Sequence, residues 1–189
     1  MRKILIFALL LIVSCSNQPK NVDNISRGQP PPTNTASIEA KQLAAEEEAY
    51  AVTEISFKKG SSLLNVESRD KLENLLNGVE SKQKIDKIKV LTWADEEYPD
   101  IEQEALSQGQ QILVRQRNSK IRNFLRTQKK DLDIEMVSMA ERPGILAELW
   151  GSSNARMKKS LEAAGISILG KQDKGSPKAS KAIIMLILK

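Results

Sequence analysis

Apolar residues along this chain recur at two spacings, and the switches between them predict an order of elements. In residues 50–57, Val52, Glu54 and Ser56 alternate with Thr53, Ile55 and Phe57, the period of a strand. Lys58-Lys59-Gly60-Ser61-Ser62 then turns the chain. Leu72, Leu75, Leu76 and Val79 follow at i, i+3, i+4 and i+7, which predicts an amphipathic helix from about Ser68, with Gly78 near its end. Residues 88–126 form the stretch around which the rest is organised. Ile88, Val90 and Thr92 alternate with Lys89 and Leu91 as a second strand, which breaks at Trp93-Ala94-Asp95-Glu96-Glu97-Tyr98-Pro99. A long helix comes next, carrying Ala105, Leu106, Ile112, Leu113, Ile121, Phe124 and Leu125 at roughly helical spacing, with Arg115, Arg117, Arg122 and Arg126 among them.

Leu132, Ile134 and Met136 alternate with Asp131, Asp133 and Glu135 as a third strand, and Arg142-Pro143-Gly144 ends it. Ile145, Leu146, Leu149, Trp150, Met157 and Leu161 suggest one further helix, interrupted near Gly151. Residues 165–178 read as loop. The apolar run 182–188 has the length of a central strand covered on both faces and is too short to span a membrane. Strand, helix, strand, helix, strand, helix, strand predicts an α/β (α+β) sandwich: one mixed sheet with helices packed on it, in a single domain over residues 50–189. Some 140 residues can bury a core of useful size.

The residues before that domain have a different character. Met1-Arg2-Lys3 is a short basic start, and residues 4–13 are a ten-residue apolar run, against the roughly 20 that a membrane span needs. Ile12-Val13-Ser14-Cys15 follows: an aliphatic residue, a tolerated one, a small one and the only cysteine of the chain. This resembles the bacterial lipoprotein signal. The resemblance implies cleavage before Cys15, acylation of Cys15, and a mature protein held to a membrane by several acyl chains, since one chain binds only marginally. Ser16, where an aspartate would favour inner-membrane retention in the sorting pattern this resembles, points to the outer membrane with the folded domain in the periplasm. Residues 16–37, rich in Asn, Gln, Pro, Ser and Thr, read as a disordered tether. Residues 38–49 are Ala- and Glu-rich, and their few apolar positions suggest a solvated helical spacer or a weak docking segment. Residues 1–14 are thus the leader and 15–49 the acylated cysteine with its tether.

Composition narrows the chemistry. The 189 residues contain no histidine, which removes the commonest general base and metal ligand. With Cys15 acylated, no thiol remains for Cys/His catalysis, and Ser/His/Asp schemes and most zinc sites are excluded as well. A carboxylate-pair hydrolase using Asp95 with Glu96 or Glu97 is compatible with composition, but nothing locates a partner carboxylate across a cleft. The chain is therefore not expected to be an enzyme, and no cofactor or metal is expected. Loss of Arg2 and Lys3 with the leader takes the formal net charge from +5 to +3, too small to argue for nucleic acid. The aromatic content of 4% means that the core must be aliphatic.

The second strand and the helix after it suggest a binding site. A carboxylate at a strand end, followed by an arginine-bearing helix, can place opposite charges across one pocket. Such a pocket suits a zwitterion, with the carboxylate taking its ammonium and a guanidinium its carboxylate. From the residues alone, Asp95 also fits a loop or helix-capping role, and any of the four arginines could be solvated. Trp93 fits either a pocket mouth or the core, Trp150 the core, and Lys58-Lys59 solvent.

Residues 50–189 resemble a diverged OmpA-like, peptidoglycan-associated domain of envelope lipoproteins. Phe57, Gly60 and Leu72 sit where that family has the end of its first strand, a glycine and a helical leucine. Thr92-Trp93-Ala94-Asp95 stands at its Gly-His-Thr-Asp motif. Residues 113–125 follow the spacing of its Leu-Ser-x-x-Arg-Ala-x-x-Val-x-x-x-Leu helix, with Ile121 and Leu125 four and eight residues beyond Arg117. The resemblance assigns the ligand-binding aspartate to Asp95 and the arginine to Arg117, not Arg115. It implies noncovalent binding of the diaminopimelate unit of a cell-wall stem peptide, tying the membrane to peptidoglycan. The chain departs from the family at several points. Gln110 replaces an asparagine, Val114 a serine, and Ala179-Ser180-Lys181 the final Asn-Arg-Arg. An insertion carrying Glu96, Glu97, Asp100, Glu102 and Glu104 lies between Asp95 and Arg117. These departures support the alternative, a structural subunit of a secretion, motility or conjugation assembly that has lost wall binding.

Overall fold

The computed structural model describes residues 36–79, 83–97, 104–141, 161 and 178–189. Over these the chain runs α1 (Ile38–Glu46), β1 (Ala51–Ser56), α2 (Val66–Asn77), β2 (Ile85–Thr92), α3 (Gln108–Gln128), β3 (Ile134–Ser138) and β4 (Lys181–Leu188). The strands form one mixed sheet in the order β1-β4-β2-β3. β4 is antiparallel to both neighbours, while β2 and β3 are parallel and joined through α3, since a parallel pair needs a long crossover. This is the α+β class that the periodicities predict. The last strand is central as expected, and Ala182, Ile183, Ile184, Met185 and Leu186 are all buried because helices cover both faces.

The two-residue period of the strands separates two cores. Ile55, Ile88, Val90, Ile184 and Leu186 pack with Leu72 and Leu75 of α2 and with Ile121 and Leu125 of α3. On the opposite face, Val52, Leu91, Ile183 and Met185, with Trp93 just past β2, pack with Ala40, Leu43 and Ala44 of α1 and with Leu161. Trp93 is therefore core and not part of a pocket mouth.

The helix expected at the end of the tether is part of this fold. Ala40 and Leu43 are wholly buried, so of the two readings for residues 38–49 docking holds and solvation does not. Among the described residues the packing includes Ala36, Ala40, Leu43 and Ala44, which lie ahead of the boundary expected at residue 50. Two small alanines beside one leucine let the helix sit close on the sheet, so a short apolar stripe suffices. Ser37 caps α1 by accepting from the Ala40 amide at 3.3 Å, and Glu47 pairs with Lys89 on β2.

α2 matches its expected helix, with Asn65 accepting from the Ser68 amide at 2.7 Å and Gly78 at the C-cap. α3 buries Ile121 and Leu125 of its expected apolar face, but not Ile112. Its buried stripe is Val114, Arg117, Ile121 and Leu125, while Ile112 is exposed. Ala105 and Leu106 precede α3, and the Leu106 amide donates to Ala140 at 2.8 Å, just past β3. The Cys15 acylation signal, the break at Arg142-Pro143-Gly144, Trp150 and the helix expected over 145–161, Leu161 apart, lie outside the described residues. Leu161 itself is helical and buried.

Candidate functional site

Asp95 and Arg117 do meet, but as partners of each other. The loop after β2 carries Asp95 back beside α3, and Arg117 Nη2 donates to Asp95 Oδ1 at 2.5 Å across 22 residues of sequence. The other guanidinium nitrogens are also engaged. Nε donates to the Ser61 carbonyl at 3.0 Å and Nη1 to the Trp93 carbonyl at 2.8 Å. The Phe57 ring lies against the same group, with Cζ 4.7 Å from its centroid. Arg117 is 0% exposed, and that figure decides its role: a guanidinium with no accessible surface does not grip a ligand carboxylate unless its surroundings move. It joins two loops, the one after β1 that carries Phe57 and Ser61 and the one after β2 that carries Trp93, using the planar fork that lysine lacks.

Asp95 is held just as closely. Oδ1 also accepts from the Ser180 hydroxyl at 2.6 Å, and Oδ2 accepts from the Gly60 amide at 2.5 Å. Its own amide donates to Gln110 Oε1 at 3.0 Å. Gly60 has φ +72, which a side chain would strain, and this conformation aims its N–H at the carboxylate. Ser180 also has positive φ, +60, in the turn closed by the Lys181 amide on the Lys178 carbonyl at 3.1 Å. Burial pushes the Asp95 carboxyl upward. The hydrogen bonds from Ser180, Arg117 and Gly60, with the charge of Arg117, outweigh that and leave its pKa below the ordinary carboxylate value.

Because the folded pKa is depressed, Asp95 contributes stability above its unfolded pKa and loses it as pH falls through the folded value. Unfolding free energy of the parent should therefore drop below about pH 4 more steeply than that of Asp95→Asn, which cannot titrate. Denaturant titrations from about pH 6 to about pH 2, across the carboxylate range, check this, and parallel slopes would remove Asp95 from the acid response.

A second polar cluster anchors the turn that carries Ser180. Lys178 Nζ, buried, donates to Ser37 Oγ at 2.7 Å and approaches Glu54 Oε2 at 3.3 Å and Glu39 Oε2 at 3.5 Å. Lys181 Nζ lies 3.0 Å from Glu54 Oε1, and the Ser37 hydroxyl donates to Glu54 Oε2 at 2.8 Å. Burial raises the Glu54 carboxyl, but its bonds to Ser37 and Lys181 and the charges of Lys178 and Lys181 bring it below the usual range. The same turn meets the acidic insertion, where Glu97 Oε1 accepts from the amides of Lys178 and Ala179, each at 2.8 Å.

Asp95 and Arg117, singled out by the resemblance, are joined by Gln110 and Ser180, which stood in the sequence only as departures from it. Their polar side chains were the available signal. Arg115 is a surface residue, 3.9 Å from Glu141, and Lys58 and Lys59 are exposed, all as expected. Among the described residues no group of acidic residues is placed to hold a metal ion, and no helix is long and apolar enough to cross a membrane.

Fold and site together define a class: an α+β domain with a buried aspartate–arginine pair at the end of a central strand. No protein-family model matches the chain, and no curated protein is significantly similar to it.

Proposed function

We propose that this chain is a lipid-anchored envelope protein whose OmpA-like domain binds peptidoglycan noncovalently. The anchor would be acylated Cys15, in the outer membrane, with the domain in the periplasm. One observation carries the reading. Phe57, Gly60, Asp95 and Arg117, which the resemblance selects from separate motifs, converge in a single hydrogen-bonded cluster. In this arrangement Asp95 is the group that receives the ammonium of a diaminopimelate-type residue, and Arg117 holds Asp95 in place as a buried counterion.

The closed environment of Arg117 favours a second reading, in which the pair is purely structural and the domain is a subunit of an envelope assembly. Co-sedimentation of the mature chain in detergent with purified sacculi separates the two. Wall binding predicts that the protein pellets and that excess soluble stem peptide containing diaminopimelate releases it. Protein that stays in the supernatant while remaining folded would support the assembly reading, and cross-linking in cells should then trap protein neighbours.

A further inference from the structure

The two backbone amides that hold Glu97 have the properties of a carboxylate seat. Lys178 and Ala179 present consecutive N–H groups to one oxygen, both at 2.8 Å, immediately before Ser180 with φ +60. Successive amides in such a turn form a concave anion site. The turn is held at Ser180 and at Lys178. The Ser180 amide donates to the Ala94 carbonyl at 2.5 Å, and the Ser180 hydroxyl donates to Asp95. Lys178 is buried with its ammonium among Ser37, Glu39 and Glu54. A seat held this rigidly loses little on binding an anion.

Its occupant is different. Glu97 is exposed and lies at the start of the acidic insertion. The seat and Asp95 flank the same residue, Ser180. Asp95 uses three acceptor positions for Arg117, Ser180 and Gly60 among the described residues, and a carboxylate offers about four.

We infer that the Lys178–Ala179 amides are the binding site for the carboxylate of a zwitterionic peptide unit whose ammonium goes to Asp95, and that Glu97 occupies this site as an internal competitor. This rests on the wall-binding reading and changes it in one respect. The ligand carboxylate is gripped by backbone amides that Glu97 must vacate, not by Arg117.

The test measures binding of the acylated mature chain, in detergent, to a soluble diaminopimelate-containing tripeptide and to sacculi. Parent, Glu97→Gln, Glu97→Ala and Glu97→Ala/Ala179→Pro are compared. A tethered competitor acts at an effective concentration on the order of millimolar, so its removal should tighten binding on the order of 10-fold. Ala179 is the second residue of the turn, where proline is accepted, so Ala179→Pro deletes one seat amide without breaking the turn. It should cancel the gain. In spectra of the parent, ligand should shift the Lys178 and Ala179 amide resonances.

Unchanged or weaker binding by folded Glu97 variants, with the parent binding well, overturns the seat and leaves wall binding standing. A gain that survives Ala179→Pro also overturns the seat. If neither parent nor Glu97 variants bind, both readings fall.

Discussion

Arg117→Ala is expected to cost about 3–5 kcal/mol, the usual penalty for removing one partner of a buried ion pair. Against a total stability of about 5–15 kcal/mol, that removes from about a fifth to all of it. The loss has three sources. Asp95 remains in a nearly closed site without its counterion, the carbonyls of Ser61 and Trp93 lose their donors, and Phe57 loses the group packed on its face. Arg117→Lys should recover little, because a single ammonium cannot reach three acceptors in one plane. Urea unfolding of parent, Arg117→Ala, Asp95→Asn and the double variant gives the coupling. A strut predicts that the double variant is less destabilised than the two single losses summed. An Arg117→Ala protein with parental stability that has lost sacculus binding would make Arg117 an open ligand clamp instead.

The second large effect concerns where the folded unit begins. A chain starting at residue 50 lacks α1, and with it the cover over Val52, Leu91, Trp93, Ile183 and Met185. It also lacks Ser37 and Glu39, two partners of the buried Lys178. Leu43→Ala alone should cost about 2–5 kcal/mol as a cavity in a closed core. Removing the helix should exceed that and give a protein that aggregates or binds hydrophobic dyes, since the exposed sheet face is apolar. Thermal melts of chains beginning at residues 36 and 50 decide it. Equal midpoints would return α1 to the tether. Binding experiments therefore need the mature chain, not the shorter piece.

The residues that could be read in advance are those whose neighbours in sequence share their environment. The alternation at Val52–Phe57, the heptad-like leucines of α2 and the unbroken apolar run ending the chain each report a local periodicity. Each became the element it predicts, the last of them in the middle of the sheet. α1 was ambiguous for the opposite reason. Its three buried residues make a weak stripe, and what makes them core is a sheet face assembled from β1, β2 and β4. In α3 the expected Ile121 and Leu125 are buried, but the stripe also takes in Val114 and a charged residue, Arg117, which apolar periodicity does not select. No periodicity rule places an arginine on the buried side of a helix, because that placement is tolerable only when distant acceptors meet it.

Sequence by itself determined the α+β class and the central last strand, while Asp95 and Arg117 were singled out by the resemblance and not by any local pattern. Tertiary structure alone decided that those two neutralise each other, that Gln110 and Ser180 join them, and that Glu97 lies on the neighbouring amides. The reason is physical. Burial of an apolar stripe follows from composition along one element, whereas a buried charge is defined by partners from several elements, and here those partners come from loops whose positions only the assembled sheet sets.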